Sequence, residues 1–167
     1  SLNHADFQRF MKRLRKKIEK PIRFYMCGEY GVDQDDVKAG LENPGLGRKH
    51  FHAIIFGYQF PDKKLFKQTS SGEHIYRSQI LESLWTAGHS STAEANYETA
   101  AYIARYVTKK ITGERSEEHY KVLDKYTGEL ISVKPEYTSM SGGIGKSWLE
   151  KYHTDVFPSD EVLVSTK

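Results

Sequence analysis

Two histidines one residue apart, His50 and His52, and two tyrosines four apart, Tyr102 and Tyr106, are the residues whose types and spacing best suit chemistry. Alternate side chains on a strand share a face, so His50 and His52 project together while Phe51 turns away. If the preceding strand pairs antiparallel, Glu29 near its end lies beside them. Two imidazoles and a carboxylate then make a three-ligand site with positions left open for a substrate. That donor set suits Mn²⁺ or Zn²⁺ better than Mg²⁺, which prefers oxygen, so Mn²⁺ should work well even where Mg²⁺ is the cellular ion. A His-x-His pair on a strand also occurs as a structural feature, and alone it is a weak signal.

The tyrosines fall on a segment that reads as a helix from Tyr97 to Ile111, capped by Asn96, with Lys109 and Lys110 in its last turn and Gly113 at its exit. Ala100, Ile103, Ala104, Val107 and Ile111 form its apolar stripe, and Glu98, Tyr102, Arg105, Tyr106 and Lys109 share the opposite face. Both phenols are therefore offered to one locus, next to cations that lower the cost of a phenolate and can hold a phosphodiester. Such help matters, because a phenol of pKa ~10 is a poor nucleophile at neutral pH. Half-buried amphipathic tyrosines are the plain alternative.

The elements that must position these groups come from a chain of 167 residues, 38% hydrophobic and 28% charged, which is the size and composition of one domain, here 1–167. One cysteine, Cys27, excludes a disulfide framework or a Cys-rich zinc module within the chain. No window approaches a membrane span, and SLNHADFQRF carries no signal-peptide core, so a soluble cytosolic protein is expected. The net charge of +3 is too small to argue for nucleic acid by itself, but eight Lys and Arg between Arg9 and Arg23 face a single acid, Glu19.

Phe7, Phe10, Met11, Leu14 and Ile18 predict an amphipathic helix from about Asp6 to Lys20, stopped by Pro21. Ile22–Tyr30 and His50–Tyr58 predict neighbouring strands, joined by a long Gly-containing loop. A polar stretch with Pro61 and Ser70 to Gly72 follows. Then come a short helix capped by Ser78, a strand over His89–Ala95, the tyrosine helix, a hairpin over Val122–Val133, a strand over Glu136–Met140 and a helix over Lys146–Tyr152, with a frayed tail beyond Pro158. The expected fold is α+β: an antiparallel sheet of four or five strands, helices packed mainly on one face and the metal site on the other. Ser141 to Ser147 looks like the end of a phosphate-binding loop, but Met140 stands where its first glycine is required.

His50-Phe51-His52 with two tyrosines on a later helix is the signature of the HUH endonucleases, whose sheet is RRM-like. The segments DFQRFMKRLRK, IRFYMCGEYG, GRKHFHAIIFGY, AAYIARYVTKK, PEYTSMS and GIGKSW, in this order, resemble the replication initiators of gokushoviruses, single-stranded DNA phages of the Microviridae. The resemblance implies rolling-circle initiation in the host bacterial cytoplasm: metal-dependent nicking and joining of a single-stranded DNA origin through a 5′-phosphotyrosine, with the free 3′-OH passed to host polymerase and helicase. It makes His50 and His52 metal ligands with Glu29 as an inferred third, and Tyr102 and Tyr106 nucleophiles. Lys109 is the lysine of a Tyr-x-x-Lys pattern that favours Tyr106 for the first cut, and Arg48, Lys49, Arg105 and Lys110 are DNA contacts. The family pattern also leads one to expect a preceding segment with cysteines and a Thr/Leu-rich strand, set in the sheet beside the histidines. Two other readings stay open on residues alone: a non-catalytic single-strand-binding module, and a metal-dependent phosphodiester hydrolase.

Overall fold

Phe7, Phe10, Met11 and Leu14 are all buried, and their three- and four-residue spacing makes His4–Ile18 an amphipathic helix, α1. Asn3 caps it by accepting the Ala5 amide, and Glu19 closes it in the left-handed region (φ 48°) by donating its N–H to the Arg15 carbonyl at 3.1 Å. The computed structural model describes residues 1–41, 45–105, 110–124 and 126–156.

The principal sheet is antiparallel, in the order β2 (Leu46–Phe56), β1 (Arg23–Val32), β7 (Tyr137–Met140). Three of the expected four or five strands thus pair in it among the described residues, where β2 pairs with β1 alone. Cys27 stands opposite His52, Glu29 opposite His50, and Gly28 opposite both Phe51 and Tyr137. Strand alternation sorts these side chains. Phe24, Met26, Phe51, Ile55 and Tyr137 pack with α1 and with Leu81 and Leu84 in the main core. Tyr25, Cys27, Glu29, His50, His52 and Ile54 take the other face.

Gly28 has a packing reason: a Cβ there would lie 2.6 Å from Tyr137 Cε1 and 3.2 Å from Leu2 Cδ2. The long β1–β2 connection is partly ordered by a five-residue helix, α2 (Gln34–Lys38), which forms because Asp33 accepts the Asp35 amide at 2.9 Å and places two more acids in the first turn.

The polar stretch after Pro61 folds into a ribbon of β3 (Lys64–Gln68) and β4 (His74–Arg77), turning at Gly72 with φ 89°. Ser78 then caps α3 (Gln79–Leu84) by accepting the Leu81 amide at 3.0 Å. The Arg13 side chain ties α1 to α3 by donating to the Leu84 carbonyl at 2.7 Å. The strand expected over His89–Ala95 is reduced to one bridge, Thr92 with Tyr76, since HSSTAEA offers no apolar alternation to bury.

Helix α4 (Tyr97–Arg105) begins at Asn96 as expected, in a reciprocal pair: the Thr99 amide donates to Asn96 Oδ1 at 2.8 Å and the Asn96 amide to Thr99 Oγ1 at 2.9 Å. Residues 106–109 lie outside the described residues, and the expected helical end at Ile111 is not found. The Ile111 N–H goes instead to the Tyr120 phenol at 3.1 Å, so its direction is set by a tertiary partner rather than by a helix carbonyl. Helix α5 (Glu114–His119) has no counterpart among the elements expected from the sequence. The expected hairpin follows as β5 (Lys121–Leu123) and β6 (Leu130–Ser132), with Gly128 at φ 71° in its turn. Helix α6 (Lys146–Val156) comes last, and the tail beyond Pro158 lies outside the described residues.

Candidate active site

Glu29 is 5% exposed, and such a carboxylate needs a partner. Its Oε1 is 2.9 Å from His52 Nε2, across the β1–β2 pairing and diagonal to its own register partner, His50. The His50 and His52 ring centroids are 6.4 Å apart, at an interplanar angle of 52°. His50 is exposed and leans over Gly31, where a Cβ would come within 3.0 Å of its Cε1, so the absence of a side chain at Gly31 gives that ring its place.

Helix α4 lies over this face of the sheet. Ile103 is buried against Cys27, with Tyr25 and Ile54 packed around them, and this contact fixes the rotation of the helix. Tyr102, one residue earlier, swings to the side facing the histidines: its ring stands 5.9 Å from that of His52, at 80° to it, and the residue is 53% exposed. Arg105 is exposed at the C-terminal end of the same helix. On the same face burial raises the Tyr25 phenol above its ordinary pKa, and the nearby Cys27 raises it further, against the lowering effect of a hydrogen bond with Thr138.

The structure therefore brings together Glu29, His52 and Tyr102, with His50 on the same face one strand pleat away. By alternation Arg48 shares that face, and it is exposed. Lys49 belongs to the opposite face, where its Nζ is 3.7 Å from Asp6 Oδ2 of α1, so the structure separates it from the other expected DNA contacts. Lys110 is exposed beyond α4. Tyr106 and Lys109 lie outside the described residues.

Among the described residues no three His, Cys, Asp or Glu side chains converge closely enough to hold an ion as they stand. The donor chemistry nonetheless suits one. Two imidazoles and a carboxylate share a face, one nitrogen and one oxygen already aim at each other, and rotation of the His50 side chain would bring the second imidazole toward them.

Two buried polar residues of this region carry no signal in the sequence. Tyr120 and Glu136, each 6% exposed, are hydrogen-bonded, the phenol donating to Glu136 Oε2. Burial pushes the Tyr120 pKa up to about 12, and the hydrogen bond to Glu136 adds to the rise. Their separation of 16 residues matches no local spacing pattern, so nothing in the sequence pairs them.

An α+β antiparallel sheet with His-Phe-His on one strand, faced by a tyrosine-bearing helix, has the layout of the HUH endonuclease fold. The family model described as replication-associated protein ORF2 matches residues 1–111, and the chain belongs to that family. It is 30% identical over 172 residues to the replication-associated protein VP4 of Bdellovibrio phage phiMH2K, covering 98% of this chain and 47% of the relative. It is 28% identical to the replication-associated protein ORF2 of Spiroplasma virus 4, covering 95% of this chain and 43% of the relative. With the replication-associated protein ORF4 of Chlamydia phage 1 it shares 33% identity over 65% of this chain and 26% of the relative. These relatives match the gokushovirus resemblance drawn from the motifs. The chain spans about half the length of the first two. No solved structure matches it.

Proposed function

We propose that this chain is the nicking and joining domain of a rolling-circle replication initiator, acting on a single-stranded DNA origin in the host cell. A tyrosine phenol loses its proton and attacks phosphorus in line, a P–O(Tyr) bond forms, and the P–O3′ bond breaks. The departing 3′ oxygen takes up a proton, which leaves a 5′-phosphotyrosine and a free 3′-OH. The phosphodiester bond count is unchanged, so a second tyrosine or the 3′-OH can reverse the exchange, which is what joining requires.

The observation that carries this reading is the Tyr102 ring, 5.9 Å from the His52 ring on the face that also carries Glu29 and His50. Holding the scissile phosphate between that phenol and the histidine face replaces a bimolecular encounter with a positioned one. Mn²⁺ or Mg²⁺ held by His50, His52 and Glu29 would polarise a nonbridging phosphate oxygen. Arg105 and Arg48, exposed near or on this face, suit neighbouring phosphates. A hydrolase built on the same ligands would need an activated water and no phenol, so the tyrosine beside the histidine favours transfer. Among the described residues no helix is long and apolar enough to cross a membrane.

The test is incubation with Mn²⁺ and single-stranded oligonucleotides tiling the phage genome, followed by a denaturing gel. A protein–DNA adduct that disappears with EDTA and in the Tyr102→Phe, Tyr106→Phe double variant is expected. An adduct that survives the double change refutes the nucleophile assignment.

A further inference from the structure

The segment that carries the tyrosines is held at two points. Its start is fixed by the reciprocal Asn96–Thr99 hydrogen bonds at the head of α4. Its exit is fixed at Ile111, five residues after Tyr106, whose N–H donates to the Tyr120 phenol at 3.1 Å while that phenol donates onward to Glu136. Tyr120 is itself held, because its carbonyl accepts the Val133 N–H at 2.8 Å.

Glu136 immediately precedes β7, and β7 places Tyr137 opposite Gly28 in the sheet. One step further along the same antiparallel register sets Glu136 beside Glu29, the carboxylate bonded to His52. A chain of short links thus runs from the exit of the tyrosine segment, through a buried phenol and a buried carboxylate, to the strand next to the histidine face.

Tyr120 and Glu136 are nearly inaccessible and all three polar groups of the chain are satisfied by one another, so removing one leaves another buried and unpaired. A surface hydrogen bond would yield to water; this one holds a single geometry.

We infer that Tyr120 and Glu136 are positioning residues, a latch that fixes the exit of the tyrosine segment relative to the Glu29–His52 pair. The latch rests on the nicking reading above and extends it: the strand-transfer geometry is set from the far end of the segment as well as by the packing of Ile103. Neither residue touches DNA. Its loss therefore slows attack by displaced phenols and leaves DNA affinity in place, since a displacement of about 1 Å can cost on the order of 10²-fold in rate.

Single-turnover adduct formation by the full chain, on an oligonucleotide that the unaltered protein cuts, tests this with Tyr120→Phe, Glu136→Leu and Glu136→Gln. The first two should lower the rate at saturating DNA by about 10- to 100-fold, with half-saturating DNA concentration unchanged within about twofold. Glu136→Gln should keep most of the rate, because an amide oxygen still accepts from the phenol. Amide exchange at Ile111 should quicken in Tyr120→Phe and Glu136→Leu only. Equal loss in Glu136→Gln and Glu136→Leu, or a rise in half-saturating DNA with the rate intact, overturns the latch. So does unaltered cutting by Tyr120→Phe. If the unaltered protein forms no adduct with any oligonucleotide, the nicking reading itself fails. The Gln-against-Leu comparison stays decisive if Tyr120→Phe folds poorly.

Discussion

Tyr102 stands edge-on to His52, ring centroids 5.9 Å apart and planes at 80°. Two elements separated by 50 residues in sequence meet there, with the phenol partly open to solvent and the imidazole bonded to a buried carboxylate. A phosphodiester entering from solvent would meet the tyrosine and the histidine face together.

The two tyrosines should divide the work. With Lys109 three residues after it, Tyr106 is expected to make the first cut and Tyr102 the transfer. Tyr106→Phe should abolish most of the first adduct. Tyr102→Phe should keep that adduct and lose rejoining to a second oligonucleotide. Peptide mapping of the adduct checks the assignment, and a first adduct found only on Tyr102 reverses it.

Ion binding should depend on the face and not on the other histidines. His50→Ala, His52→Ala and Glu29→Gln should each weaken Mn²⁺ binding by at least about 10-fold, as measured by the paramagnetic resonance of free Mn²⁺. His89→Ala, in the segment before α4, should leave it unchanged. Equal affinity in all four variants would remove the ion from this face.

Alkaline pH should loosen the fold in a defined window. Burial lifts the Tyr120 phenol to about 12, and burial with Asp6 and Cys27 nearby lifts Tyr137 to about 12, against an ordinary value of 10.0. The folded state thus favours the neutral phenols. Their contribution is complete below pH 10 and is lost as pH rises toward 12. The urea midpoint should fall across that range, and less steeply in Tyr120→Phe compared with its own value at pH 8. Parallel curves for the variant and the unaltered protein would contradict this.

Gly28 should not accept a side chain. A Cβ at 2.6 Å from the Tyr137 ring forces that ring off its stack with His4, where the centroids are 3.7 Å apart. Gly28→Ala should cost about 1–3 kcal/mol by urea unfolding. A loss below about 0.5 kcal/mol would mean that the ring relocates freely, against the close packing expected of an interior.

Much of this arrangement is readable from residue order because it is local. The periods of Phe7, Phe10, Met11 and Leu14, the caps Ser78 and Asn96, and the alternation of His50 and His52 all act within a few residues. The β3–β4 ribbon is not legible because Lys64–Gln68 is exposed throughout and carries no buried face to leave a pattern. The apolar spacing of α4 continues to Ile111 in the sequence, while the hydrogen bond that decides the backbone there comes from Tyr120. Nor does alternation disclose rotamers: it places His50 and His52 on one face, yet the His50 ring lies over Gly31, and Glu29 bonds to the diagonal histidine rather than to its register partner.

The pleat of β2 binds two properties into one. Phe51 and Ile55 pack with α1 while His50 and His52 look the other way, and a slip of a single position would drive both imidazoles into the core and turn Phe51 out to water. Misalignment of this strand is therefore penalised by lost packing before any chemistry is attempted, so a molecule that has folded stably has already proofread the placement of its imidazoles.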